Sequence, residues 1–461
     1  MKRITSRITR INWRASIWGL AVVTSASLGY IGYELISYRH MHFGVFDLGL
    51  YNRHLWGMVH GGFGPNPLMG FNLLGDHAHF ILILLAPFYA LWQSPEFLLV
   101  VQALGLSLAG WPIYKAARYL GHTDLQASAW LIPFYSFFGF WSSLIFPFHV
   151  AALSVLPLSW ALYFLITRQD RNLVIALIIA ALTKEDTPLV AIMIGVYLII
   201  LRRQWRLGAS LIVAGAVYIE AITKVWIPWV RHSPYPFDGI QLAWNELKTH
   251  TINIMMLSFG WLPLGALEVF ILLAPLWVSR FLSNMPARWD TNQHYGANQG
   301  PILALAAMVA TVRIAAWLTR RYPKLKQHQT RLLWGGIAIA TAGTIMVWQA
   351  PEQKWIWPFN DFVRIHRNPT ELTAQQAFAM IPPTASVGVQ CDFPELTSRP
   401  EVYLVPFDLT KRQPDYLILS NSMFAWPFPN YDAVNAYIAQ ARDLGYETLI
   451  DHDGITLLRK K

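Results

Sequence analysis

The sequence predicts a mainly α-helical, polytopic membrane protein that ends in a small soluble α/β unit. Three observations carry that expectation. Of 461 residues, 54% are hydrophobic and 13% charged, against roughly 25% charged in soluble globular chains. The apolar residues cluster into runs close to the length of about 20 residues that a helix needs to cross a bilayer. After Trp348 these runs stop, and charges and short β-type segments take over.

The elements follow in order. Lys2, Arg3, Arg7, Arg10 and Arg14 stand directly before the first run, 16–38, which reads as a start-transfer anchor with its basic end in the cytoplasm. A cleaved signal peptide is the competing reading, but the small residues Ser25, Ala26 and Ser27 come early in a run that continues to Tyr38. Runs at 96–114, 150–166 and 301–318 hold almost no ionisable side chain. Basic clusters recur at every second boundary: Lys115 with Arg118, Arg168 with Arg171, then Arg202, Arg203 and Arg206, and last Arg320, Arg321, Lys324, Lys326 and Arg331. The loops between are polar, His-rich or aromatic, the first of them spanning 39–79. The positive-inside rule puts these loops outside, in a bacterium the periplasmic side of the inner membrane. The alternation closes with about 11 spans if 80–92 is a short helix at the outer interface, because about 13 residues are too few to cross. Taking it as a span would put Lys115 and Arg118 outside.

The chain so divides into a membrane domain, 1–350, and a soluble α/β domain, 351–461, on the outer side. Within the latter, 387–389, 403–405 and 416–419 predict short buried strands, 431–444 a helix and 448–458 a further strand.

Several function classes drop out. A net charge of +10 suggests nucleic acid only where the basic residues form one patch, and here they sit at the ends of apolar runs. The single Cys391 excludes an internal disulfide and a Cys-based zinc site. The chain has no Walker-type glycine loop, dinucleotide fingerprint or serine elbow, which argues against ATP-driven or NAD-dependent chemistry.

Ionisable residues in so apolar a chain are candidates for function, and they gather on the predicted outer side. Asp47, in Phe46-Asp47-Leu48-Gly49, opens an amphipathic stretch; it is either a helix cap or a functional carboxylate. Asp76-His77-Ala78-His79 sets one carboxylate and two imidazoles close together, for a divalent metal, a proton-transfer pair or a capped interfacial turn. Thr183-Lys184-Glu185-Asp186 interrupts an apolar stretch and is too polar to face lipid, so it predicts an outer turn with Lys184 paired to a carboxylate, or the lining of a polar cavity. His149, His294 and Tyr295 mark two further outer turns, and Arg231, His232 and Asp238 a third.

Phe46-Asp47-Leu48-Gly49 with Leu55-Trp56, Asp76-His77, Leu85-Ala86-Pro87, Leu182-Thr183-Lys184-Glu185-Asp186 and His294-Tyr295 resemble a family of bacterial polytopic membrane proteins of unknown function that is grouped with the GT-C glycosyltransferases. The resemblance spans nearly the whole chain, continuing into Ile381-Pro382-Pro383 and Arg399-Pro400-Glu401-Val402-Tyr403. It implies transfer of a sugar from a polyprenyl-phosphate carrier on the outer face of the membrane, with Asp47 as the matching carboxylate of the first outer loop. It also implies a carboxylate near His149; this chain has Pro147-Phe148 before that residue and Val150-Ala151 after it.

Such chemistry needs a base for the attacking hydroxyl and positive charge for the departing phosphate. Asp47 is the candidate base, in a single displacement that inverts the anomeric carbon. Asp76 or Glu185, with His77, Asp186 and His294 nearby, would orient the sugar or share a metal, for which Asp76, His77 and His79 are the candidate ligands. Lys184, Arg231 and His149 would hold the phosphate, and Tyr51, Trp56 and Tyr295 could stack on sugar faces. The competing function is a transporter or flippase, which usually places its charges near the midplane in paired repeats; here they collect at one face. A non-catalytic scaffold is the third.

Overall fold

The computed structural model describes residues 16–146, 148–237, 239–350 and 368–461. The basic N-terminal residues, Pro147, Asp238 and the junction expected between the two domains lie outside them. Among the described residues, seven helices are long and apolar enough to cross a membrane by length and composition: Ile17–Arg39, Pro95–Tyr119, Val150–Thr167, Trp205–Arg231, Leu262–Phe281, His294–Arg321 and Pro323–Gln349. The sequence predicts their boundaries where it supplies caps. Ser16 accepts from the Gly19 amide at 3.1 Å to start the first helix, and Ser94 with Pro95 and Glu96 starts the second.

Seven such helices are fewer than the about 11 spans expected from the sequence; two of the other expected passages are shorter helices. Asp170–Ala181 has 12 residues and Pro188–Arg202 has 15, because the polar run beginning at Thr183 breaks what would otherwise be one apolar segment. Arg168 ends the helix before this pair and Arg203 ends the second helix of it, both in the left-handed region, at φ 58° and 57°. The expected short helix is Ile81–Tyr89, nine residues with Pro87 inside. At 1.5 Å per residue it reaches only about 14 Å, and Ile83, Leu84 and Phe88 leave it an apolar exposed face, as an interfacial helix requires.

One apolar core runs through the helices from Val23 to Val347. The C-terminal unit holds a five-stranded sheet: β1 Val387–Val389, β2 Val402–Leu404, β3 Tyr416–Ser420, β4 Tyr446–His452 and β5 Ile455–Lys460, in the order β2-β1-β3-β5-β4. β1 pairs in parallel with β2 and β3, while β5 is antiparallel to β3 and β4. The single strand expected over 448–458 is instead the β4–β5 hairpin. Asp453-Gly454 turns it, both at positive φ, a standard hairpin signal. The helix Tyr431–Asp443 matches its expectation, and Pro369–Met380 adds a second that the sequence reading lacked.

This unit is seated on the first loop. Met41 and Val45 belong to the same apolar cluster as Val387, Val389 and Ile418. The Val45 amide donates to the Cys391 carbonyl, Asn52 donates to Thr397 and Ser398 at 2.8 Å each, and His40 meets Glu371 at 3.0 Å.

Candidate active site

The first loop turns sharply at Asp47. Its backbone sits at φ 61°, ψ −76°, close to the rare γ-turn geometry, which a side chain adopts only under strain. The following helix, Leu50–His60, starts from Gly49 without a side-chain cap, so Asp47 is not that helix's cap. Phe46 holds the turn from the other side, edge-on to Trp426 at 5.3 Å. The Asp47 carboxylate has no side-chain hydrogen bond among the described residues. Burial and the neighbouring Asp76 carboxylate push its pKa up to about 7, against the opposing pull of Lys184.

Neither Asp76 nor His77 caps the helix Ile81–Tyr89, whose N-cap is Phe80. Asp76 pairs with Arg231 at 3.0 Å, and that guanidinium lies 4.4 Å from the Phe71 ring. His77 Nδ1 meets Glu185 Oε1 at 2.6 Å, with the imidazole stacked on Phe237 at 4.5 Å. Glu185 accepts further bonds from the Ala78 amide at 3.2 Å and the Tyr235 hydroxyl at 2.9 Å. Although burial opposes ionisation, His77 and Lys184 hold the Glu185 carboxyl well below the usual carboxylate range.

Three histidines form the next layer. His79 is fully buried, its ring 5.8 Å from that of His149, and His149 stacks face to face on His294 at 3.5 Å. Burial pushes His79 and His149 down, so both are neutral at ordinary pH. The Ala151 amide donates to His149 Nδ1 at 3.1 Å, which leaves the proton on Nε2. Neither ring nitrogen of His79 or of His294 has a partner among the described residues. The His294 turn reaches this layer because Gly139 packs on Gly296: a Cβ at Gly139 would lie 2.8 Å from the Gly296 carbonyl carbon.

Lys184, 4% exposed, lacks the expected carboxylate pair and follows the alternative expectation, the lining of a cavity. It makes no ion pair among the described residues; Glu185 is taken by His77, and Asp186 lies 4.0 Å from Arg288. The Lys184 ammonium instead stands 5.4 Å from the Tyr295 ring. It lines a cavity of about 190 Å³ together with His77, Glu185, Asp186, Tyr235, Arg288 and Tyr295. One unpaired ammonium and one guanidinium therefore face the same small space.

The structure brings together most of what the sequence singles out: Asp47, Asp76, His77, His79, His149, Lys184, Glu185, Asp186, His294 and Tyr295 lie in one connected cluster, and Arg231 joins it through Asp76. Among the described residues no three His, Cys, Asp or Glu side chains are grouped to hold a metal. Asp76, His77 and His79, the candidate ligands, are engaged respectively by Arg231, by Glu185 and by surrounding rings. The sequence reading missed Arg288, Tyr235 and Arg280, whose guanidinium ties the carbonyls of Arg288, Asp290 and Tyr295. Arg280 had a signal, an arginine within an otherwise apolar helix; Tyr235 had none.

The architecture is that of a polytopic membrane protein with a small C-terminal α/β unit. Two crystal structures of ArnT from Cupriavidus metallidurans share it. The one bound to undecaprenyl phosphate superposes with a TM-score of 0.57 at 14% identity, covering 96% of this chain and 98% of that one. The apo structure gives 0.56 at 15% identity, covering 96% and 97%. No curated protein matches the chain in sequence. The chain belongs to the family described as Predicted membrane protein (DUF2079), which it matches over residues 38–457.

Proposed function

We propose that the protein is an integral-membrane glycosyltransferase that moves a sugar from a polyprenyl-phosphate donor to an acceptor at the outer face of the membrane. The observation that carries this reading is the pairing of opposite tasks in one cluster: Asp47, unbonded with a pKa near 7, beside Lys184, a buried cation without a carboxylate partner. A general base works best with a pKa near the operating pH. A departing phosphate needs positive charge fixed in a site shielded from water.

In this mechanism Asp47 takes the proton of the attacking acceptor hydroxyl as it displaces the phosphate at the anomeric carbon, which inverts. Lys184 and Arg288 receive the developing charge on the phosphate. Glu185, held by His77 and Tyr235, fixes the wall beside Lys184, and Asp76 with Arg231 sets the charge that keeps Asp47 basic. The undecaprenyl phosphate of the ArnT structure and the overall likeness in fold support the choice of donor class. The basic residues at the far ends of the helices support an outward-facing site and C-terminal unit.

Reconstituted protein supplied with radiolabelled polyprenyl-phosphate sugars tests the proposal. Release of sugar from the carrier to an acceptor, with free polyprenyl phosphate as product, is the expected result. Movement of intact lipid or solute across the vesicle wall without transfer would replace the enzyme with a transporter.

A further inference from the structure

A second cavity, about 340 Å³, lies between the helix Leu50–His60, the glycine-rich turn after it and Pro400 of the C-terminal unit. It shares no lining residue with the first cavity and falls in the size range of small-molecule sites. His54, 4% exposed, lines it with an Nε2 that has no partner among the described residues. The buried Nε of Arg53 is likewise unpartnered, while its Nη2 donates to the Pro400 carbonyl at 2.9 Å. The ionisable groups acting on Arg53 are Tyr89 and Tyr403, with no carboxylate among them.

Buried polar nitrogens without partners are costly, and a recurring explanation is a ligand that meets them. The wall beside them is aromatic. Arg53 lies 4.9 Å from the Trp56 ring, and Trp56 stacks on His60 at 4.1 Å with 14° between planes. The spacing 53, 56, 60 sets all three on one helix face.

We propose that this cavity binds a saccharide unit that carries a carboxylate or phosphate. The Arg53 guanidinium takes the anionic group, His54 Nε2 bonds a ring hydroxyl, and the Trp56–His60 wall packs along the sugar. A neutral sugar would leave the guanidinium without a counter-charge, and a bare inorganic anion would leave most of the volume and the aromatic wall unused. Arg53 and His54 stand near the start of the helix that follows Asp47, so a sugar held here sits on the same loop segment as the base. Its identity as part of the acceptor rests on the transferase reading; its binding does not.

The test is binding to the full-length protein in detergent with no lipid donor present, by saturation-transfer NMR and calorimetry. The probes are glucuronate, glucose 1-phosphate, glucose and inorganic phosphate. Saturable binding of at least one charged sugar, at least tenfold tighter than glucose and than inorganic phosphate, is expected. Arg53→Gln should weaken it at least tenfold. Gly64→Leu should do the same by filling the cavity, since a Cβ there meets no atom within 4 Å and the fold is spared. Asp47→Asn should bind like the wild type. Failure of both charged sugars to bind, equal binding of glucose or of phosphate alone, or wild-type binding by Gly64→Leu would overturn the proposal. If these results hold while Asp47→Asn still transfers sugar, the saccharide site stands and the assignment of the base falls.

Discussion

His77 Nδ1 lies 2.6 Å from Glu185 Oε1, joining the first loop to the turn between two helices more than a hundred residues further along. Through this bond the loop that carries Asp47 and Asp76 is fixed to the turn that carries Lys184. Tyr235 adds a third segment at the same oxygen. The bond therefore organises the cluster, and several of its consequences can be measured.

The first concerns acid. The folded Glu185 carboxyl sits below its ordinary range, so its stabilising contribution is complete above the unfolded value of about 4.3 and is lost as pH falls through the folded one. Glu185→Gln should destabilise the protein by about 3 kcal/mol at neutral pH and flatten the decline in stability below about pH 4. Thermal unfolding of both proteins across pH checks this; parallel curves would speak against the pairing.

Asp47 has the opposite sign. Its folded pKa, about 7, is raised, so the stability linked to its proton is present below about pH 4 and is lost as pH rises through 7. Asp47→Asn should accordingly be more stable than the wild type above pH 7, by about 1–2 kcal/mol once solvent screening of a partly exposed carboxyl is allowed for. The wild-type transfer rate should rise with pH through about 7 and level off as the base ionises. A rate that is flat between pH 5 and 8 would remove Asp47 from the proton transfer.

Lys184→Met should fold normally, because the ammonium has no ion-pair partner to abandon, yet lower transfer by about 10²–10³-fold. Lys184→Arg should recover part of that loss. Initial rates against donor concentration, alongside melting temperatures, separate the two effects.

Docking of the C-terminal unit should matter to the same chemistry. A Cβ at Gly44 would lie 2.7 Å from Cys391 Sγ and 3.1 Å from its carbonyl oxygen, three residues before Asp47. Gly44→Ala should therefore loosen this contact and reduce transfer. Asn52→Ala should cost about 2–3 kcal/mol, since Asn52 donates to Thr397 and accepts from Tyr89 at 2.7 Å, both buried within the joint, and donates to the half-buried Ser398. Limited proteolysis of the C-terminal unit reads both variants.

Much of this arrangement is legible in the sequence for a physical reason. Lipid tolerates few ionisable groups, so Asp47, Asp76, His77, Lys184 and Glu185 stand out against the apolar runs without any knowledge of packing. What sequence spacing cannot supply is the choice of partner. Lys184 next to Glu185 suggests a local ion pair, but adjacent residues on a tight turn point apart, and Glu185 finds His77 across the fold instead. Tyr235 and Arg288 enter the site through loop geometry that leaves no periodic trace. The hairpin at Asp453-Gly454 was readable from its turn residues, while the seating of Val45 on Cys391 depends on tertiary contact alone.

Sugar release from labelled polyprenyl-phosphate donor by purified Asp47→Asn, matched to wild type for expression and membrane insertion, tests the proposed role of Asp47 most sharply. The wild type should release sugar, and the variant should lose at least about 10²-fold in rate while folding at least as stably. An Asp47→Asn protein that transfers sugar at the wild-type rate would contradict that role.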